Sequence, residues 1–159
     1  MSLQTPSLQS LMQDLTMPDR TVSALLGDRP MIHSGPEASL REVAKILARA
    51  GLGALLITEG ERLLGIVSER DIVFRAVAKG LDLDTTPARA VMTENPVTVA
   101  LDAPIVDTLH AHLGEDFRHL PVLDGDRPVG LLSYRDIPQE YQMMFERFRE
   151  MTGATAASL

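Results

Sequence analysis

With 159 residues, 45% of them hydrophobic and 23% charged, the chain can build one ordinary domain or two half-sized units sharing a core, and the disordered and fibrous classes are excluded. It has no cysteine, which removes disulfides and thiolate metal sites, and no apolar run approaching the ~20 residues that span a bilayer. The formal charge of −7 opposes broad affinity for nucleic acid or anionic membrane, yet thirteen of the fifteen basic residues are Arg, the side chain suited to forked phosphate recognition in a local pocket.

From the amino terminus, residues 1–17 carry Leu8, Leu11, Met12 and Leu15 at helical spacing, without the charged and apolar regions of a secretory signal. A short extended piece, "PMIH" (30–33), precedes a helix. Ser39-x-x-Glu42 is its capping box, and Leu40, Val43, Ala44 and Leu47 share one face. Next come a strand (Ala54–Thr58), a turn at Glu59-Gly60, a strand (Leu63–Val67) and a second helix opening at Ser68-x-x-Asp71.

The same text then returns 65 residues later. "GIVSERDI" (65–72) becomes "GLLSYRDI" (130–137), with five of eight positions identical, and Thr21 falls on Thr86. "PVTV" (96–99) is the extended piece. The helix has Asp102 as its expected N-cap, Pro104 in the first turn, and the stripe Ile105, Leu109, Leu113. A strand (His119–Leu123), the turn Asp124-Gly125, a strand (Val129–Leu132) and a helix from Ser133-x-x-Asp136 complete the copy. A last helix carries Tyr141, Met144, Phe145 and Phe148, a stripe that reads as core or as a subunit contact, and residues 153–159 are expected to fray. The pattern is β-α-β-β-α twice, an α/β (α+β) fold. Its segments are a helical piece 1–17, repeat 1 at 18–80, repeat 2 at 81–138 and a helix with tail at 139–159. Each half alone would leave a sheet face bare, so the two copies are expected to pack through their sheets as a pseudo-symmetric pair.

"NPVTV" (95–99), "RHLPVLD" (118–124), "GIVSERDI" and "GLLSYRDI" together resemble a tandem pair of CBS domains, the module named after cystathionine β-synthase and also called a Bateman module. The resemblance covers roughly residues 18 to 138. It implies a groove shared between the repeats, closure into disc-like homodimers, and an adenosine ligand such as AMP, ADP, ATP or S-adenosylmethionine. It also implies a cytoplasmic regulator of an unidentified partner protein, with no required cofactor and no catalysis.

Ser68-x-x-Asp71 and Ser133-x-x-Asp136 also have a plain folding role, since Ser followed by an acid at the third position caps a helix. Capping does not explain why Arg70 and Arg135 stand at the same place in both copies. A ribose offers two vicinal hydroxyls, and a carboxylate accepts with two oxygens, so Asp71 or Asp136 suits the sugar. Phosphate calls for a cation: Arg70 or Arg135, with backbone amides at the helix start. Strands 54–57 and 119–122, including Leu120, can wall the adenine ring.

The family's grooves draw on both repeats, which makes the two here unequal. One combines Ser68, Arg70 and Asp71 with Thr98, Arg118, His119 and Thr86. The other combines Ser133, Arg135 and Asp136 with the "PMIH" and "GLGALL" segments, where Ile32 stands for the Thr and Gly53-Ala54 for Arg118-His119. The first groove is favoured for a phosphorylated ligand; the second is expected to bind weakly, bind something else or stay empty. His33, His110, His112 and His119 do not form a metal set, and no P-loop, nucleophile elbow or zinc signature occurs. Asp14, Asp19 and Asp28 read as solvated charge, as do Glu146-Arg147 and Arg149-Glu150 on the last helix. The competing reading is a ligand-free scaffolding dimer.

Overall fold

A computed structural model describes residues 20–111 and 118–152, together with Ser7 and Ser10. In chain order its elements are α1 (Val22–Leu26), β1 (His33–Ser34), α2 (Leu40–Ala50), β2 (Ala54–Glu59), β3 (Arg62–Ser68) and α3 (Glu69–Asp71), which continues as a π-helix (Ile72–Val77). A 3₁₀ turn (Ala88–Ala90), β4 (Thr93–Glu94), β5 (Val99–Ala100), α4 (Ile105–Ala111), β6 (His119–Asp124), β7 (Arg127–Ser133), a second 3₁₀ turn (Tyr134–Asp136) and α5 (Gln139–Thr152) follow. The expected stripe Leu8, Leu11, Met12, Leu15, with Asp14, Asp19, His112, Leu113 and residues 153–159, lies outside the described residues. No described helix is long and apolar enough to cross a membrane.

Each repeat is organised by a hairpin with a parallel strand at one side. The sheets run β1-β2-β3-β4 and β5-β6-β7. The turns fall one residue later than the sequence suggests, on Gly60-Glu61 and Gly125-Asp126, because Glu59 and Asp124 still pair with Arg62 and Arg127. Glycine is needed at the first turn position, where φ is 60° and 62°. Both hairpins also shift register at matching places, Ile57/Thr58 and Val122/Leu123. Gly65 stands beside the first shift; a Cβ there would lie 2.6 Å from the Thr93 carbonyl oxygen, so only glycine lets β4 close on β3.

Each repeat carries its own apolar core on one face of its hairpin. Leu55, Ile57 and Val67 face α2 with Leu40, Val43 and Leu47, while Leu120, Val122 and Leu132 pack with Ile105 and Leu109. The intervening Ala54 and Leu56 are also fully buried, and β2 and β3 lie against β7, so the two sheets pack back to back. α2 forms as its sequence dictates, with the Ser39–Glu42 capping box complete and Gly51 ending it in the left-handed conformation.

Three expectations are corrected. Asp102 does not cap α4; Ile105 N donates instead to the Arg20 carbonyl at 2.7 Å, and Pro104 bridges to Thr21. Ser133 opens only a 3₁₀ turn, because Ile137 precedes Pro138 and is extended, with ψ at 125°. The chain restarts as α5, whose Tyr141, Met144, Phe145 and Phe148 are buried in the second core, in line with the core reading of that stripe. Arg149 on the same helix is half-buried beside the Phe145 ring rather than freely solvated.

The repeats exchange the segments that precede them. α1, although it lies in the 18–80 stretch assigned to the first repeat, buries Val22 and Leu26 in the second core, and Val22 N and Ser23 N donate to the Ala103 and Leu101 carbonyls. Ala88 and Val91, upstream of β5, complete the first core, with Leu40 N donating to Thr86 O.

Candidate functional site

The repeated Ser-x-Arg-Asp builds the same cap twice. Ser68 N and Oγ donate to Asp71 Oδ2 at 2.9 and 3.0 Å, and Asp71 N donates back to Ser68 Oγ at 3.1 Å. In the second copy Ser133 N donates to Asp136 Oδ2 at 2.7 Å, and Ser133 Oγ accepts from Arg135 N at 3.3 Å. The folding role is therefore present: it fills Oδ2 of Asp71 with two donors and engages Oδ2 of Asp136 with one, so at Asp71 the oxygen left for a sugar is Oδ1.

Each remaining oxygen faces an arginine that the sequence reading did not single out. Arg75 Nε is 3.5 Å from Asp71 Oδ1, while Arg75 Nη1 donates to the Val91 carbonyl at 3.0 Å. Arg29 Nη1 donates to Asp136 Oδ1 at 2.8 Å. The i,i+4 spacing of Asp71 and Arg75 was a legible signal. The Arg29–Asp136 pair, 107 residues apart, had none. Arg70 is exposed, with its guanidinium 5.4 Å from the Phe74 ring centroid, on the outer side of the π-helix rather than in the cap; Arg135 is exposed too.

The direct meeting of the repeats falls on His119. A Cβ built on Gly53 would lie 3.2 Å from His119 Nε2 and 3.4 Å from Glu69 Oε1, so the imidazole of one repeat and the carboxylate of the other both come up against Gly53. Glu69 N donates to Gly53 O and Tyr134 N to Arg118 O, which confirms Gly53 and Arg118 as pseudo-symmetric partners. Burial pushes the His119 imidazole below the usual histidine range; Glu69 and Asp136 oppose this, Arg118 and Arg135 add to it. Both caps thus act on one half-buried histidine.

Other candidates separate. Leu120 is 2% exposed, its side chain packed in the second core rather than facing a groove. Thr86 stands at the start of α2, where its carbonyl accepts from Leu40 N. Thr98 is half-buried before β5. The ladders pair Ser34 with Ile57 and Val99 with Val122, so the counterpart of Thr98 is His33, not Ile32. Ile32 packs on the first core, and His33 Nδ1 lies 2.8 Å from Thr58 Oγ1. Among the described residues no three His, Asp or Glu side chains gather to hold a metal ion.

The sequence pattern that defines the CBS domain matches residues 22–77 and 88–140. A CBS domain-containing protein of Arabidopsis thaliana, CBSCBSPB5, is 36% identical over 122 residues, covering 76% of this chain and 22% of its own length. The chain thus spans about a fifth of the length of that relative. Among solved structures, the CBS domain protein PAE2072 from Pyrobaculum aerophilum, complexed with AMP, is 33% identical with a TM-score of 0.70, covering 80% of this chain and 99% of that one. The CBS domain pair of MJ0100, in complex with 5′-methylthioadenosine and S-adenosyl-L-methionine, is 26% identical with a TM-score of 0.68, covering 79% and 98%. Two matched segments, each on its own hairpin and packed back to back, make this chain a tandem member of the CBS domain family.

Proposed function

We propose that the chain is a regulatory module that takes an adenosine-containing ligand in the groove between its repeats and transmits occupancy to a partner protein. The observation that carries this reading is the meeting of His119 with Gly53 and Glu69, beside the Ser68–Asp71 cap. It brings Glu69, the residue after Ser68 in the first cap, to His119 of the other repeat, and in this reading Asp71 of that cap is the sugar-binding carboxylate. In this reading Asp71 Oδ1 receives a ribose hydroxyl once Arg75 yields, Arg118 and His119 face the charged end, and Thr98 contributes its hydroxyl. AMP bound to PAE2072 and S-adenosylmethionine bound to MJ0100 support the ligand class. The ligand acts as a signal rather than as a resident cofactor, without turnover, in the cytoplasm.

The proposal includes a homodimer. Val73, Phe74 and Val77 on the π-helix are 51, 58 and 56% exposed, and Leu81 adjoins them in sequence. A second copy would cover this patch. Thermal-shift and calorimetric titration with AMP, ADP, ATP and S-adenosylmethionine tests the reading: saturable binding by at least one supports it, and silence from all four overturns it. Silence would favour the scaffolding dimer, which the capped state of both carboxylates and the apolar patch make the second reading.

A further inference from the structure

The two caps differ in what holds their outer oxygen. Asp71 Oδ1 is 3.5 Å from Arg75, beyond a hydrogen bond, and Arg75 is drawn away toward the Val91 carbonyl. Asp136 Oδ1 has a 2.8 Å bond to Arg29. Arg29 is itself fixed: its Nε donates to Leu26 O at 3.1 Å and its Nη2 to Leu25 O at 3.4 Å, so every guanidinium nitrogen has an acceptor. Both carbonyls belong to the last turn of α1, which favours a cation, and α1 is seated in the second core through Val22 and Leu26. Gly27, at φ 57°, ends α1 and turns the chain so that Arg29 follows two residues later. The residue 65 positions on is Glu94, which is exposed and acidic and cannot do the same for Asp71.

We propose that Arg29 is a built-in occupant of the second groove, closing Asp136 to ribose and holding the chain at one adenosine site. This rests on the ligand reading above. A ribose reaching Asp136 must break a 2.8 Å bond to Arg29, whereas at Asp71 it has only to move aside the looser 3.5 Å ion pair with Arg75. Because Arg29 remains 45% exposed, its release needs no opening of the core.

The test is calorimetric stoichiometry with AMP, and separately with S-adenosylmethionine, on the full chain and on Arg29→Ala, Arg29→Gln and Arg29→Ala/Asp136→Ala. The expected result is one site per chain in the parent, two in both single variants, and a return to one in the double variant. Two sites in the parent, or one site in both single variants with their folds intact by circular dichroism, overturns the proposal while leaving the ligand reading standing. No binding of either probe by the parent or the variants overturns the proposal, and silence from ADP and ATP as well overturns the ligand reading with it.

Discussion

Removing the Asp71 side chain separates its structural and binding duties. In Asp71→Ala the two bonds from Ser68 to Oδ2 are lost, a capping loss of about 1 kcal/mol. For a chain of this size that lowers the melting temperature by roughly 2–4 °C. Binding should lose at least one charge-assisted bond to ribose, worth about 1.5–3 kcal/mol, or a roughly 10- to 150-fold weaker affinity. Ser39→Ala is the matched control, because it removes an equivalent capping box on α2 that has no part in the groove. Both variants should melt earlier by a similar amount, and only Asp71→Ala should lose affinity for AMP in calorimetry. Equal affinities in the two variants would refute the assignment of Asp71 to the sugar.

Gly65→Ala forces a methyl group onto the Thr93 carbonyl, and denaturant unfolding should show a loss of roughly 1–3 kcal/mol. Phe74→Asp should leave the melting temperature nearly unchanged but lower the sedimentation mass toward a monomer, whereas Phe145→Ala, inside the second core, should cost about 3–5 kcal/mol. Burial holds His119 neutral in the folded chain, so its stabilising effect is complete above the ordinary histidine value of 6.5. It falls away as the pH drops through the depressed folded value, because the unfolded chain then binds the proton more readily. His119→Gln should flatten that acid-side slope in pH-dependent thermal melts.

The hairpins, the capping boxes and the duplicated order were legible because they are written in local chemistry: alternation, a Gly after an acid, a Ser three residues before an acid. The two sheet faces were legible as well, since Ala54 to Ile57 is an unbroken apolar run that only burial on both sides explains. What local patterning hides is long-range exchange. Nothing near Val22 says that it donates to Ala103, and nothing near Arg29 says that it ends on Asp136. Leu120 looked like a ligand wall because strand position alone does not say which face looks inward. Ile32 was set against Thr98, whereas both the 65-residue spacing and the hydrogen-bond register match His33. The single turn after Ser133 was readable in principle from Pro138, which the similarity to the first copy masked.

Because α1 belongs to the far repeat and the 86–91 stretch to the near one, neither half is a self-sufficient piece of sequence. During synthesis, residues 20–23 must wait for about eighty more to emerge before Leu101, Ala103 and Ile105 arrive to claim them. A pull applied at Arg20 would likewise be felt first in the distal repeat, the half that α1 does not adjoin in sequence.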